Sequence, residues 1–236
     1  MSQNNTDLAD IGSRILYEDN HLLVVNKRAG EIVQGDKTGD EPLLELVRQY
    51  IKVSANKPGN VFCGLVHRID RPVSGAVIFA KTSKALARMN AMVKERTLQK
   101  TYWAIVEQAP EEPEGTLLHY LRKNERTNTS EASKVEREGW QRAELSYHLM
   151  ASGDRYHLLE VDLHTGRHHQ IRAQLSAIGC PIKGDLKYGA RRSNEDGSIS
   201  LHARRLRFEH PVRHEAIEVV APPFNQLFMK LLQNLS

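Results

Sequence analysis

A carboxylate placed between two arginines is the part of this sequence that could most directly do chemistry. Asp70 lies between Arg68 and Arg71, after an apolar run and before a turn that contains proline and glycine. Because a nearby positive charge favours the charged form of a carboxyl group, we expect Asp70 to stay ionised. An ionised carboxylate in a turn suits a nucleophile better than a general acid. The alternative is that Asp70 only caps the turn, a common role of aspartate.

Two later segments combine a tyrosine or a glycine with several basic residues. They are Lys100-Thr101-Tyr102-Trp103-Ala104-Ile105-Val106 and Thr165-Gly166-Arg167-His168-His169-Gln170-Ile171-Arg172. Taken alone, Tyr102 could be a half-buried strand aromatic, and Arg172 could be an exposed arginine on a helix. Gly166 would let the backbone come close to a ligand, which indicates a phosphate contact or a framework role for Arg167.

Taken in order, these segments resemble the motifs of the RluA family of pseudouridine synthases. The catalytic motif of that family is matched by His67-Arg68-Ile69-Asp70-Arg71-Pro72-Val73-Ser74-Gly75, with isoleucine and valine in place of leucine and threonine. Residues 15–19, 22–27 and 182–189 match further family stretches, although Arg28 stands where the family usually has proline. The resemblance extends from about residue 15 to the last predicted helix.

The resemblance implies an enzyme that isomerises uridine in RNA without a cofactor or a metal ion. The reaction breaks the N-glycosidic bond, rotates the base and rejoins it through carbon 5, after the uridine has been flipped out of its stack. By resemblance, Asp70 is the catalytic carboxylate, Arg172 orients it, and Tyr102 stacks on the flipped base. Arg68 is expected to enter the RNA helix where the base has left. The residues predicted to bind RNA at the active site are Arg68, Arg71, Arg167 and His67.

The expected fold class is α+β, with a mixed, mainly antiparallel central sheet flanked by helices. The family resemblance implies this fold, and short hairpin connections between predicted strands agree with it. Strands are predicted over residues 22–25, 73–80, 98–107, 144–150, 156–163, 201–208 and 217–220, and helices over 42–53, from 83, over 168–178 and over 224–235. Residues 1–12 are predicted to be a flexible tail, 13–236 a single catalytic domain without an upstream RNA-binding domain, and 122–137 a long loop.

Composition sets wider limits on function. The chain has 33 Lys and Arg against 29 Asp and Glu, and a net charge of +4 permits a polyanionic partner without requiring one. Two distant cysteines argue against a structural zinc site and a disulfide framework. With no visible signal peptide or apolar span, we expect a cytoplasmic, monomeric protein whose partner is a stem-loop of ribosomal or transfer RNA. Candidate phosphate contacts are Lys27, Lys100, Lys183, Lys187, Arg204 and Arg205.

Several other functions compete with this interpretation. A metal site could use His164, His168 and His169, but a Thr-Gly pair inside that span favours a turn. A glycoside hydrolase would need a second carboxylate, which Glu160 or Asp162 could supply only from a strand that alternates toward solvent. A kinase loop would need a different His-Arg-Asp spacing and a glycine-rich loop. A non-catalytic RNA-binding module is the main alternative, and an assay of uridine isomerisation distinguishes it.

Overall fold

The computed structural model describes residues 3–35, 39–56 and 58–233. Its helices are α1 (Gln3–Ser13), α2 (Leu43–Ser54), α3 (Ser83–Glu95), α4 (Gln170–Ala177) and α5 (Leu227–Gln233), with a 3₁₀ turn at Leu186–Tyr188. Its strands are β1 (Ile15–Glu18), β2 (Leu22–Lys27), β3 (Gly64–Leu65), β4 (Ser74–Ala80), β5 (Gln99–Val106), β6 (Glu114–Asn124), β7 (Thr129–Ser133), β8 (Gln141–Ser152), β9 (His157–Leu163), β10 (Leu201–Glu209) and β11 (Ala216–Val220).

The chain divides into two compact units. The first contains residues 1–98 and 205–222, and the second contains residues 99–204 and 223–236. In the first unit, β2 pairs antiparallel with both β1 and β4, β3 pairs with β4, and β11 pairs with β10. Strands β2 and β4 and helix α3 bury a common apolar core, formed mainly by Leu22, Val24, Ala76, Ile78, Ala85, Met89, Leu206 and Val219.

The second unit is built around a run of antiparallel strands in the order β5-β9-β8-β6-β7. Helix α5 packs on this sheet through Phe228 and Leu231, which lie in one cluster with Trp103, Ile105 and Leu158. Helix α4 packs through Ala173 near Leu121, Ala143 and Tyr188. The predicted α+β class with mainly antiparallel strands is confirmed.

Two segments differ from the sequence-based prediction. Residues 1–12 were expected to be a flexible tail, yet residues 3–13 form α1, which buries Ile11 and pairs Asp10 with Arg14 and Arg28. The single-domain assignment for residues 13–236 stays a prediction.

The expected long loop over residues 122–137 is largely a hairpin of β6 and β7. Arg122 and Glu131 lie directly opposite each other across the two strands, and their side chains form an ion pair of 3.0 Å. Cross-strand pairs of opposite charge favour strand pairing. The Asn124 side chain then accepts hydrogen bonds from the amides of Arg126 and Thr127, which fixes the turn. Because this segment is rich in charged residues, the sequence shows no alternation of apolar and polar residues that would have predicted the strands.

Both cysteines, Cys63 and Cys180, are buried free thiols. Burial raises the pKa of Cys63 to about 12, and burial also raises the pKa of Cys180. Among the described residues, none of the helices combines the length and the apolar character needed to cross a membrane.

Candidate active site

The first unit presents Asp70 in a tight turn between β3 and β4. The amide of Val73 donates to the backbone carbonyl of Asp70 at 3.0 Å, which closes the turn. Asp70 is half-buried, whereas the neighbouring Arg68 is exposed. Among the described residues, none pairs with the Arg68 guanidinium. This side chain is therefore available to a ligand.

A buried lysine holds this turn from inside the protein. Lys27, the last residue of β2, is fully buried, and its Nζ donates to the backbone carbonyls of Arg28, Arg71 and Val73 at 2.8, 3.1 and 2.8 Å. Burial lowers the pKa of Lys27 to about 7, while the carboxylates of Glu31 and Asp70 act in the opposite direction. Lys27 was a candidate phosphate contact in the sequence. Its complete burial shows that this prediction was wrong, and its ammonium binds the backbone that carries Asp70.

The other two predicted contacts in this unit are held by the protein. The Arg71 Nε donates to the carbonyl of Gly30 at 3.0 Å, and its NH2 pairs with Asp40 at 2.7 Å. His67 is buried, and its Nε2 accepts a hydrogen bond from the amide of Ile78 at 3.3 Å. These bonds connect both ends of the catalytic motif to neighbouring backbone, so a direct RNA contact by Arg71 or His67 stays a prediction.

In the second unit, Tyr102 lies in the middle of β5, opposite Val161 of β9. It is 7% exposed, so the strand surroundings cover most of the ring. Because side chains alternate along a strand, Tyr102 shares its face of β5 with Lys100, while Thr101 and Trp103 lie on the other face. Thr101 Oγ1 donates to Asp162, and Trp103 Nε1 donates to Glu160. The two acidic residues of β9 therefore bond on the face away from Tyr102.

Arg172 lies on α4 and is almost completely buried. Its Nε donates to Oδ2 of Asp185 at 2.6 Å and its NH2 donates to Oδ1 at 2.9 Å, a two-pronged ion pair. The guanidinium carbon also lies 4.9 Å from the centre of the Tyr188 ring. One edge of the guanidinium is thus fixed by a carboxylate and one side by an aromatic ring, so Arg172 has little rotational freedom.

Tyr188 connects this arginine to three other residues of the second unit. Its hydroxyl accepts from the amide of Ser130 at 2.6 Å and bonds to Nδ1 of His169 at 3.0 Å, while its carbonyl accepts from Ser176 Oγ at 2.7 Å. His169 has a left-handed backbone with φ of 51° at the start of α4. Burial, with the nearby Arg172 charge, lowers the pKa of His169 to about 2. His169 is therefore neutral and serves as a hydrogen-bonding partner of Tyr188.

The segment from Thr165 to Arg167 is fixed by Gln170. The Gln170 Oε1 accepts from Thr165 Oγ1 at 2.7 Å and from the amide of Arg167 at 3.0 Å, and its Nε2 donates to the carbonyl of Glu144. The Arg167 Nε donates to the carbonyl of Arg142 at 3.1 Å. Arg167 thus has a framework contact, one of its two predicted roles. The histidines considered for a metal site bond to separate hydroxyl groups, since His164 contacts Ser146 and His168 contacts Ser130.

Asp185 and Tyr188 were not predicted as parts of the site, and Lys27 was predicted only as a phosphate contact. Asp185 and Tyr188 belong to the stretch 182–189, which matched a family motif but had no assigned chemistry. The first unit therefore offers a half-buried carboxylate beside an exposed arginine. The second offers a tyrosine and a rigidly held guanidinium. Such groups can hold an anion, contact a base and supply a carboxylate for attack on a sugar.

Comparison with known proteins gives a consistent result. A family model described as RNA pseudouridylate synthase matches residues 21–177. The uncharacterized RNA pseudouridine synthase YhcT of Bacillus subtilis is 33% identical over 213 residues, which cover 88% of this chain and 68% of that protein. The ribosomal large subunit pseudouridine synthase C of Vibrio vulnificus is 33% identical over 234 residues, which cover 97% of this chain and 71% of that protein.

A solved structure is also similar to this chain. Human RNA pseudouridylate synthase domain containing 4 has a TM-score of 0.80, covering 99% of this chain and 97% of that one, at 23% sequence identity. This similarity shows a common fold.

Proposed function

Because the chain belongs to the RNA pseudouridylate synthase family and is an isomerase acting on RNA, we propose that it converts specific uridines of ribosomal RNA to pseudouridine with Asp70 as its catalytic carboxylate. The choice of ribosomal RNA is supported by one observation above all. The Vibrio vulnificus relative, named for the large ribosomal subunit, aligns with 97% of this chain. Transfer RNA is the alternative substrate.

In this proposal Asp70 acts on the ribose of the target uridine. The carboxylate attacks the sugar or helps to expel the base, so that the bond from C1′ to N1 breaks. The uracil then turns, its C5 bonds to C1′, and the proton on C5 leaves as N1 gains one. The turn held by Lys27 supports this role, because hydrogen bonds to the carbonyls of Arg71 and Val73 fix the backbone next to Asp70.

The proposed part of Arg172 is to orient Asp70. Asp185 takes the edge of the guanidinium that consists of Nε and NH2. A planar guanidinium holds carboxylates in fixed directions, which suits the proposed role. Tyr102 contacts the flipped uracil in this proposal, and the exposed Arg68 occupies the place that the base has left. Arg71, Arg167 and His67 support these groups or contact the RNA.

The test is to map pseudouridine in ribosomal and transfer RNA from cells with and without the gene. We expect one or a few uridines of ribosomal RNA to lose the modification, and the wild-type gene to restore it while the Asp70→Asn gene does not. Loss confined to transfer RNA would refute the choice of substrate. Restoration by Asp70→Asn would refute the catalytic assignment, and an unchanged map would favour an RNA-binding protein without activity.

A second experiment tests how much of the RNA is recognised. A short hairpin that contains the mapped uridine should be converted about as well as the full-length RNA, since a loop uridine is already partly unstacked and costs less to flip. The measurement is conversion of both RNAs under single-turnover conditions. Conversion of the full-length RNA alone would show that contacts outside the hairpin are required.

A further inference from the structure

Lys100 is a cation whose surroundings lack the anion that such a group normally requires. It lies on β5 two residues before Tyr102 and is half-buried. Burial lowers the pKa of Lys100, and no charged group contributes to this shift. Among the residues that the structure describes, none accepts a hydrogen bond from its Nζ or pairs with it. A desolvated ammonium without a partner is costly, and an anionic ligand from outside the chain would offset that cost.

The acidic residues on the neighbouring strand do not compensate this charge. Asp162 and Glu160 lie opposite Thr101 and Trp103 in the β5–β9 register and accept hydrogen bonds from those two side chains. Side chains on successive strand positions point to opposite faces, so these carboxylates lie on the face away from Lys100. The face that Lys100 shares with Tyr102 therefore carries a positive charge that β9 leaves unmatched.

A glycine supplies the space and a second donor. A Cβ atom added at Gly166 would lie 3.6 Å from Lys100 Nζ, so the ammonium lies directly beside this exposed stretch of backbone. No described group accepts from the Gly166 amide. The Lys100 ammonium and the exposed Gly166 backbone, whose N–H has no described acceptor, thus lie next to each other in the second unit. Such pairs of an ammonium and a backbone amide are suited to phosphate oxygens.

We propose that Lys100 and the Gly166 amide bind a backbone phosphate next to the target uridine, while Tyr102 on the same strand face contacts the base. This inference rests on the proposed function, because it takes RNA as the ligand and Tyr102 as its base contact. The phosphate is the anion that the Lys100 ammonium lacks, and its binding fixes the nucleotide relative to Tyr102. Arg172 and Asp185 form a separate, internally compensated ion pair and are not part of this site.

The first test uses Lys100→Met, which keeps the length of the side chain and removes its charge. The affinity for the hairpin that contains the mapped uridine should fall by about tenfold, as for loss of one hydrogen bond to a charged group. The slope of log Kd against log salt should fall in magnitude by about 0.7 to 0.9, the change for one released counterion. Lys230→Met, at an exposed position of α5 in the same unit, is the control and should change neither value.

The second test locates the phosphate on the RNA. A set of hairpins is made in which each backbone phosphate near the target uridine is replaced, one at a time, by an uncharged methylphosphonate. One position should weaken binding of the wild-type protein and have no further effect on Lys100→Met. If all positions affect both proteins equally, Lys100 does not bind a phosphate.

Gly166→Ala tests the site without altering a charge. The added methyl group would make only ordinary contact with Lys100 Nζ, and Gly166 lacks the positive φ that would disfavour alanine. The variant should therefore fold normally but bind the hairpin more weakly, because the methyl group occupies the approach of the phosphate. Wild-type affinity in this variant would overturn the proposal.

Folding and activity measurements separate the remaining explanations. Lys100→Met should unfold at the same temperature as the wild-type protein or higher, since it removes a desolvated charge. A slower reaction with unchanged affinity and salt dependence would assign Lys100 to proton transfer and contradict phosphate binding. If the wild-type protein makes no pseudouridine in any RNA, the proposed function fails, whereas an unchanged salt slope in Lys100→Met with normal conversion refutes only the phosphate site.

Discussion

The turn that carries Asp70 and the cluster that holds Arg172 are fixed in different ways. Around Asp70, one buried ammonium binds three backbone carbonyls, so the path of the turn is set largely by backbone contacts. Around Arg172, the side chains of Asp185 and Tyr188 contact the guanidinium, and His169 bonds to Tyr188. Hydrogen bonds to backbone carbonyls form whichever side chains the turn carries. The contacts of the Arg172 cluster, in contrast, are lost when any one of its side chains is replaced. The two regions should therefore respond differently to substitution.

Asp70→Asn should have the largest effect on activity with almost none on folding. The amide keeps the shape of the side chain but cannot act as a nucleophile, so single-turnover conversion should fall by roughly 10⁴-fold or more. RNA affinity and the unfolding temperature should stay close to those of the wild-type protein, because the turn is held through its backbone. Asp154→Asn, in an exposed turn, is the control. Conversion at a tenth of the wild-type rate would show that Asp70 is not the catalytic group.

Arg172→Lys should reduce the conversion rate by at least about a hundredfold, although it keeps the charge. An ammonium cannot bind both oxygens of Asp185 in a plane and present a second edge, and a displacement of about 1 Å has an effect of this size. The measurement is single-turnover conversion, with Arg207→Lys at an exposed surface ion pair as the control. Near-normal conversion would mean that only the charge of Arg172 matters.

Asp185→Asn should destabilise the protein by about 3–5 kcal/mol, since it leaves a buried guanidinium without its carboxylate. The free energy of unfolding from denaturant titration measures this effect. Glu131→Gln removes the acidic partner of an exposed pair with Arg122 and should give no measurable change. Equal effects of the two substitutions would contradict the difference between buried and exposed pairs in this unit.

Lys27→Met should have its most specific effect on the pH dependence of stability. The pKa of Lys27 is lowered to about 7 in the folded protein from 10.5. Between these values the unfolded chain binds more protons, so this group makes the protein more stable as pH rises through that window. Replacement with methionine should remove that rise, by at most about 1.4 kcal/mol per pH unit. Lys94→Met, at an exposed position of α3, should leave the curve unchanged.

The contiguous parts of these two regions could be predicted from the sequence. Asp70 and its arginines, Tyr102 within an alternating strand, and Arg172 at the end of its motif are all defined by residues within a few positions. The class of fold followed from hairpin spacing and the family resemblance. These predictions depend on local order along the chain, which a sequence displays directly.

The partners that hold these residues could not be predicted in the same way. Asp185 is 13 positions from Arg172, and Ser130 is 58 positions from Tyr188, so only folding selects them among many similar residues. Lys27 resembles an ordinary surface lysine in the sequence, because nothing nearby reveals that three carbonyls surround its Nζ. The β6–β7 hairpin was missed because charged residues lie on both of its faces. The sequence therefore lacks the alternation of apolar and polar residues that usually indicates a strand.

The burial of both cysteines has a practical consequence for labelling. A thiol reacts as the thiolate, and with a pKa of about 12 Cys63 has almost none of that form at neutral pH. Cys180 is also buried with a raised pKa, so the native protein should be nearly inert to maleimides and disulfide reagents. A single cysteine placed at an exposed position, for example by Arg68→Cys, would then be the only accessible thiol. Spin labels or thiol-bearing RNA could be attached there without first replacing the native cysteines.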